Sequence, residues 1–564
     1  MTGLDKHFDY VVPEDLVDDV AVGSVVRVEL HGRRVGGWVI ALDPHDALDP
    51  EGLKPIAKLT GLGPSAAVID LAGWAAHRWV SRRRHFLVAA SPERAVRFLP
   101  DDRRTGRTVD PRSPASTGLL QEGGGVLRLT PTSDPMPAVL SAVAFGPSLV
   151  VVPAVDQAML LGARLRRSGL SVALMPDDWA GATAGVDVVI GARAAAWAPC
   201  PEVSAIVLLD EHDEALHEEG SPTWHARDVV LERARRARVP LLIVSPAPTL
   251  TALAWRPATR PPHERERAGW PIVEVVDRTG EEPWKRSLVT SELIRHLRDP
   301  ERTVVCVSNT TGRARLLACR QCRELTRCER CDAAVILDDG GEIECLRCGA
   351  QRPPVCLACG AGRFANLRPG VTRLREELEA AANRPAVLVT GDGPERPPEA
   401  GVYVGTEAAL HRVDRADTVA FLDFDREMLA PRYRAGEQAM SLLVRAARLV
   451  GPRARGGRLV VQTFLPRHDV VQAALLADPG RLAAAERERR RLLGLPPFGA
   501  YAEISGRGSD EFVASITTTS KVQIVGGDGD YVARGPDWDS LADVLGTGVR
   551  PPNARLRIAV DPPR

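Results

Sequence analysis

Between Val126 and Gln462 the chain repeats one pattern: a short run of Val, Ile and Leu, a turn, then a stretch with apolar residues at helical spacing. The runs fall at 149–152, 186–190, 206–209, 241–244, 304–307, 419–422 and 459–461. Strands apolar on both faces, alternating with helices, predict parallel sheets covered on both sides. About 330 residues of such alternation exceed one ordinary domain, so the pattern predicts two α/β lobes. Ahead of them, residues 8 to 41 read as short alternating segments joined through His31-Gly32-Arg33-Arg34, which predicts a small β-rich domain. From Ala66 to Val80 the apolar residues recur at helical spacing. After Pro466 a charged helix, 481–493, ends at Gly494-Leu495-Pro496-Pro497-Phe498-Gly499 and leads into a final α+β segment.

Composition narrows the class. At 564 residues, 44% hydrophobic, 26% charged and 4% aromatic, the chain is globular and large enough for several domains. No apolar run approaches the roughly 18 residues of a membrane span, and the start Met1 to Lys6 is polar with no apolar signal core behind it. A cytoplasmic protein is expected. Basic and acidic residues balance at 73 each, which removes any bulk electrostatic argument for a nucleic-acid partner. Locally the balance differs: residues 78–112 hold ten arginines against Glu93, Asp101, Asp102 and Asp110. That stretch reads either as a solvated helix face with a linker or as a surface for phosphates.

Eight of the ten cysteines form four C-x-x-C pairs, Cys319/Cys322, Cys328/Cys331, Cys345/Cys348 and Cys356/Cys359. Eight thiolates suffice for two tetrahedral zinc sites of four sulfurs each, and sites with no open position are structural rather than catalytic. Gly349 and Gly360 follow two of the pairs directly, where a tight knuckle wants a permissive backbone. Between Cys331 and Cys345 the sequence predicts a hairpin turning at Asp338-Asp339-Gly340-Gly341. A hairpin carrying one pair at each end favours a nested arrangement: Cys328, Cys331, Cys345 and Cys348 around one zinc, and Cys319, Cys322, Cys356 and Cys359 around the other. Sequential pairing is the alternative. Disulfides are disfavoured in a cytoplasmic chain, and an iron–sulfur cluster would not need eight evenly paired ligands. Arg313, Arg315, Arg320, Arg323, Arg327 and Arg330 crowd this region and favour a nucleic-acid or acidic partner.

These residues resemble the PriA family of primosomal replication-restart proteins, superfamily 2 DNA helicases. The matches are Phe8-Asp9-Tyr10-Val11-Val12-Pro13, Val188-Val189-Ile190-Gly191-Ala192-Arg193 before Trp197-Ala198-Pro199, and Asp210-Glu211-His212-Asp213 followed by His225-Ala226-Arg227-Asp228. The four cysteine pairs and Gly494 to Gly499 complete them. The resemblance implies a multidomain α/β protein. Its parts would be a β-rich 3′-end DNA-binding domain (1–62), a winged helix and linker (63–118), and a first RecA-like lobe (119–270). A second RecA-like lobe (271–318 and 361–468) with a zinc-binding insertion (319–360) and a C-terminal α+β domain (469–564) would follow. It also implies a pocket for the 3′ end of a nascent strand at Phe8, Asp9, Tyr10, Gly32 and Lys54. An aromatic ring stacks on the terminal base, a carboxylate accepts hydrogen bonds, and a lysine meets phosphate.

The motor motifs of that family are eroded. A G-x-T-G-S-G-K-T loop cradles phosphates with backbone N–H groups while Lys and Thr reach the β/γ-phosphates and Mg²⁺. Here the corresponding stretch is Thr130-Pro131-Thr132-Ser133-Asp134-Pro135-Met136-Pro137, with no lysine between Lys58 and Lys285. Prolines remove N–H donors and Asp134 adds the wrong charge. D-E-E-H has become Leu209-Asp210-Glu211-His212, S-A-T has become Ser245-Pro246-Ala247, and Q-V-A-G-R-A-G-R has become Arg445-Ala446-Ala447-Arg448-Leu449-Val450-Gly451. Apart from the family, Asp210, Glu211 and Asp213 read most simply as a solvated turn. The expectation is a protein that is not an enzyme and has no catalytic residues. It would bind two zinc ions but not ATP, recognise stalled or abandoned forks with a nascent 3′ end, and promote primosome assembly and helicase reloading. Its partners would be helicase-loading proteins and single-stranded DNA-binding protein, with no membrane. The alternative is an active ATP-dependent 3′-to-5′ DNA helicase.

Overall fold

The computed structural model describes residues 7–43, 52–280, 288–308, 317–338, 341–345, 347–366, 371–391, 393–552 and 554–563. Two parallel sheets dominate. The first has seven strands in the order Ala258–Thr259, Gly124–Arg128, Leu241–Ser245, Ala205–Leu209, Ser148–Val151, Val188–Gly191, Val172–Leu174. The second has six: Ile272–Asp277, Arg458–Thr463, Thr418–Phe421, Val304–Val307, Val402–Gly405, Val387–Val389. All pairs in both sheets are parallel. Every residue of Ala205–Leu209 and Leu241–Ser245 is buried, because helices cover both faces. That is why their sequences are continuous apolar runs rather than alternating ones.

At the N-terminal end, Val25–Leu30 pairs with Arg33–Trp38 and Lys58–Gly61 in an antiparallel sheet. Helices Ala66–Arg78 and Arg83–Ala90 follow and dock on the first lobe through buried rings. Trp79 lies 5.9 Å from Phe86, and Phe86 lies 5.3 Å from Trp197. The arginine-rich stretch is spent partly on this docking. Arg78 is buried, stacks 3.8 Å from the Trp538 ring and pairs with Asp228. Arg103 pairs with Asp178, the Arg103 N–H bonds Gly185 O, and Thr105 bonds the Asp187 carboxylate, strapping this segment to the lobe.

The cysteine module lies between strands Val304–Val307 and Val402–Gly405 of the second lobe and contains two small antiparallel sheets. The expected hairpin is present, with Ile336 opposite Glu344 and Leu337 opposite Ile343; its turn residues Asp339 and Gly340, like Arg313 and Arg315, lie outside the described residues. The last sheet is antiparallel, in the order Gln523–Gly527, Asp530–Gly535, Ala500–Ser505, Arg557–Val560. Its final strand runs into the junction of the two lobes. There Thr223 Oγ1 donates to Val560 O at 2.7 Å, and Arg434 grips the Asp561 carboxylate with two bonds of 2.8 and 2.7 Å. Tyr433 donates to the same carboxylate, and Gln438 Nε2 donates to Pro563 O at 2.7 Å.

Candidate nucleic-acid interface, cysteine clusters and interlobe cavity

At the N-terminus, Val11 N donates to Lys54 O and Ile56 N donates to Val11 O, which brings Tyr10 beside Lys54. Tyr10 Oη donates to Glu29 O at 3.1 Å, and Lys54 Nζ donates to Glu29 Oε1 at 3.0 Å. The structure thus joins Tyr10 and Lys54 through Glu29, by its main-chain carbonyl and its carboxylate respectively, a residue that sequence reasoning missed. Its sign in the sequence is faint, since Glu29 is simply the acidic partner opposite Arg34 in the register. Phe8 is 43% exposed, so its ring is presented to solvent rather than sunk in the β-core. Burial and Glu29 raise the Tyr10 phenol, against the pull of Lys54. Gly32 sits at the hairpin tip. His31 and Gly32 have φ of 48° and 73° across the Leu30/Arg33 pair, the two left-handed residues of a type I′ turn. A Cβ there would meet nothing within 4 Å, so the turn itself is what asks for glycine.

The cysteines assemble in nested fashion: Cys319, Cys322, Cys356 and Cys359 in one cluster, and Cys328, Cys331, Cys345 and Cys348 in the other. Their Sγ atoms approach to 3.6 Å (Cys319–Cys359), 3.4 Å (Cys322–Cys356), 3.5 Å (Cys328–Cys348) and 3.5 Å (Cys331–Cys345). Zinc–sulfur bonds of about 2.3 Å in a tetrahedron space sulfurs by roughly 3.8 Å, so both clusters fit the ion with small expansion. All four knuckles close on a left-handed residue: Arg323 (φ 70°), Asp332 (60°), Gly349 (67°) and Gly360 (76°). Each donates its N–H to the carbonyl of the first cysteine of its pair. The glycines marked two of these in the sequence; the other two carry ordinary side chains and gave no such signal.

Between the lobes lies a cavity of about 530 Å³. Thr130 to Ser133, Pro135, Gln157, Leu209 and Asp210 line it from the first lobe, and Arg448, Gly451, Pro452 and Arg455 from the second. The residues read as a solvated turn are instead buried: Asp210, Glu211, His212 and Asp213 are all less than 9% exposed. Asp210 accepts two bonds from Arg448 and one from Gln157 Nε2 at 3.0 Å. Glu211 accepts from Arg227 Nη1 at 2.8 Å, Thr249 N at 3.0 Å and Thr249 Oγ1 at 2.6 Å. His212 Nδ1 meets Ser245 Oγ at 2.9 Å, and Asp213 pairs with Arg445. Burial pushes the Asp210 carboxyl up, but the Arg448 charge and hydrogen bonds overcome it and hold the group well below the usual range. Arg448 Nε also donates to Pro131 O at 3.0 Å, tying the loop of the first lobe to the second. Asp134 does not line the cavity; both its oxygens are engaged by Arg164.

His217 is buried with Nδ1 accepting from Arg434 Nη1 at 3.1 Å. Burial first, and then the Arg434 charge, push its pKa down to about 3. The folded pKa is below the unfolded value, so the stabilisation is present above about pH 6.5 and lost as pH falls through that value. Between pH 7.5 and 5 this one histidine is expected to cost about 2 kcal/mol of stability, at about 1.4 kcal/mol per pH unit below 6.5. Denaturant midpoints across that range, compared with His217→Gln, check it; equal pH dependence in both would refute it.

A parallel-sheet pair with a shared cavity, an inserted double-cysteine module and an N-terminal β-domain define a helicase-like multidomain protein. Residues 1–92 match the family model of the PriA 3′ DNA-binding domain. The chain is 28% identical over 623 aligned residues to the probable replication restart protein PriA of Mycobacterium bovis, covering 98% of this chain and 90% of that protein. It is 24% identical to replication restart protein PriA of Bacillus subtilis, over 63% of this chain and 48% of that one. The chain is thus related to replication restart protein PriA along nearly its whole length. The structure of S. cerevisiae Dbp5 bound to RNA and ADP BeF3 aligns at a TM-score of 0.37 and 10% identity, covering 69% of this chain and 94% of that one. No helix among the described residues is long and apolar enough to cross a membrane.

One expectation is overturned by these findings. The reading of the chain as not an enzyme rested on eroded motifs. Yet those motif positions converge from both lobes on one cavity, Asp134 is turned out of it, and the chain aligns nearly throughout with replication restart proteins on a helicase-like fold.

Proposed function

We propose that the protein acts in the cytoplasm on stalled or abandoned replication forks. It holds the 3′ end of a nascent strand and promotes primosome assembly, so that the replicative helicase is reloaded. The observation that carries this reading is the match of residues 1–92 to a 3′ DNA-binding domain, with Phe8 exposed beside the Tyr10–Glu29–Lys54 cluster. Phe8 stacks on the terminal base, Asp9 and Tyr10 take hydrogen bonds, Gly32 shapes the tip beside the strand, and Lys54 leaves Glu29 for a phosphate. The segment 63–118, as a winged helix, and the C-terminal domain touch the duplex arms. Two zinc ions hold the cysteine module, which with helicase-loading proteins and single-stranded DNA-binding protein forms the loading surface.

Phe8→Ala is expected to weaken binding of a fork carrying a 3′ nascent end by roughly tenfold, since one stacked base is worth about 1–3 kcal/mol. Lys54→Ala should lower the salt slope by about one phosphate. Binding to a fork lacking that 3′ end should be unchanged in both variants. Equal losses on both forks would overturn the 3′-end reading.

A second reading, an ATP-dependent 3′-to-5′ DNA helicase, is favoured by the interlobe cavity. Nucleotide binding and DNA-stimulated hydrolysis, measured beside fork affinity on one preparation, test it. Nucleotide-dependent unwinding that is lost in Asp210→Ala and Glu211→Ala supports it; unwinding that survives both refutes it as this cavity's work.

A further inference from the structure

The two cysteine clusters are built from the same knuckle but sit in different surroundings. In the inner cluster, Cys328, Cys331 and Cys345 are buried among Leu317, Ala333, Val335 and Ile343. Bonds to the second lobe seal it: Ala334 N donates to Leu429 O at 2.7 Å, and Arg347 donates to Cys331 O at 2.9 Å and Ala430 O at 2.7 Å. The outer cluster alternates buried Cys319 and Cys356 with exposed Cys322 and Cys359. The hydrogen bonds around its knuckles stay inside the module, from Cys319 N to Glu324 O and from Cys356 N to Ala361 O. The apolar residues beside it, Val355 and Leu357, are exposed at 45% and 63% and offer it no cover.

We infer that the outer cluster is a peroxide-oxidisable zinc site, which releases its metal as its cysteines form disulfides while the inner site keeps its ion. This rests on the proposal that both clusters hold zinc. Thiolate oxidation is selective for accessible sulfur, and each exposed thiolate here has a neighbour to resolve it. Hydrogen peroxide transfers oxygen to the Cys322 or Cys359 thiolate, giving a sulfenic acid and hydroxide. The thiolate of Cys356 or Cys319 then attacks that sulfur, the S–O bond breaks, and a second hydroxide leaves. Per disulfide, two thiolates lose two electrons, one peroxide gains them, and two protons convert the hydroxides to water. The facing sulfurs stand 3.4 and 3.6 Å apart, against about 2.05 Å in a disulfide, so a shift of roughly 1.5 Å completes each bond. A knuckle whose hydrogen bonds stay inside its own module can make that shift. In the inner cluster the same shift would disturb the bonds at Leu429 and Ala430.

The test uses the full chain with its zinc, freed of reductant, in the presence of a chromogenic zinc chelator. On adding hydrogen peroxide, one zinc per chain should be released at least about tenfold faster than the second. Peptide mapping without reduction should then place disulfides among Cys319, Cys322, Cys356 and Cys359, while Cys328, Cys331, Cys345 and Cys348 still alkylate as thiols after zinc is stripped. A thiol reductant with added zinc should restore the starting content. Two ions leaving in a single phase, or disulfides forming first among the inner four, overturn this inference alone. A chain with fewer than two bound zinc ions before peroxide is added overturns the zinc proposal itself.

Discussion

Asp561→Ala is expected to destabilise the fold by about 3–5 kcal/mol, because it leaves a buried arginine without its counter-charge. Arg434 and Asp561 are 11% and 3% exposed, and their paired bonds close the junction where the last strand meets both lobes. Burial would favour the protonated acid, yet the charges of Arg434, His217 and Arg78 hold Asp561 well below the usual carboxylate range. Removing it therefore costs more than its hydrogen bonds. Arg434, Arg227 and Arg78 would face one another across the junction with one fewer anion between them, and Tyr433 would lose its acceptor. Melting of the lobes should fall by roughly 5–10 °C, scaled for a large cooperative unit. Asp561→Asn keeps the shape and an acceptor and should lose less. A shift below about 1 °C in the alanine variant would show that the junction does not depend on this pair.

The second large effect is loss of the inner metal. Binding free energy at a structural zinc site of four thiolates is folding free energy for the segment it closes, on the order of 10 kcal/mol or more. Cys331→Ser breaks the buried cluster that supports both the hairpin and the contacts to Leu429 and Ala430. Residues 317–366 are then expected to become sensitive to protease while the parallel sheets stay folded, which limited proteolysis with mass mapping reads directly. Cys359→Ser, at the exposed cluster, should open only the outer knuckles. Equal cleavage of the module in the two variants would contradict the difference in burial.

What the sequence made legible follows from how local each signal is. Strands such as Ala205–Leu209 and Leu241–Ser245 were readable because burial on both faces leaves no polar position in the run. The nested cysteine clusters were readable because a hairpin separates the two inner pairs and only nesting brings its ends together. The ion pairs were not. Arg448 finds Asp210 across 238 positions and Arg434 finds Asp561 across 127, and in a chain with 73 basic and 73 acidic residues no spacing singles out such partners. For the same reason Asp210 to Asp213 looked like a solvated turn: the cations that make their burial tolerable come mostly from elsewhere in the fold, Arg448 and Arg445 from the second lobe. Glu29 was overlooked because its role depends on Lys54, in the segment ahead of strand Lys58–Gly61, lying beside it in the fold.

The Arg448–Asp210 and Arg445–Asp213 pairs bridge the lobes at a partly solvated edge, with the arginines 36% and 26% exposed. Added electrolyte weakens such pairs as well as contacts to a phosphate backbone. A logarithmic plot of fork affinity against salt concentration would therefore sum two events, displacement of counterions from DNA and weakening of these interlobe pairs. Its slope would overstate the number of phosphates touched. The slope of the Asp210→Asn, Asp213→Asn double variant, in which these pairs are gone, would be the one that counts phosphates.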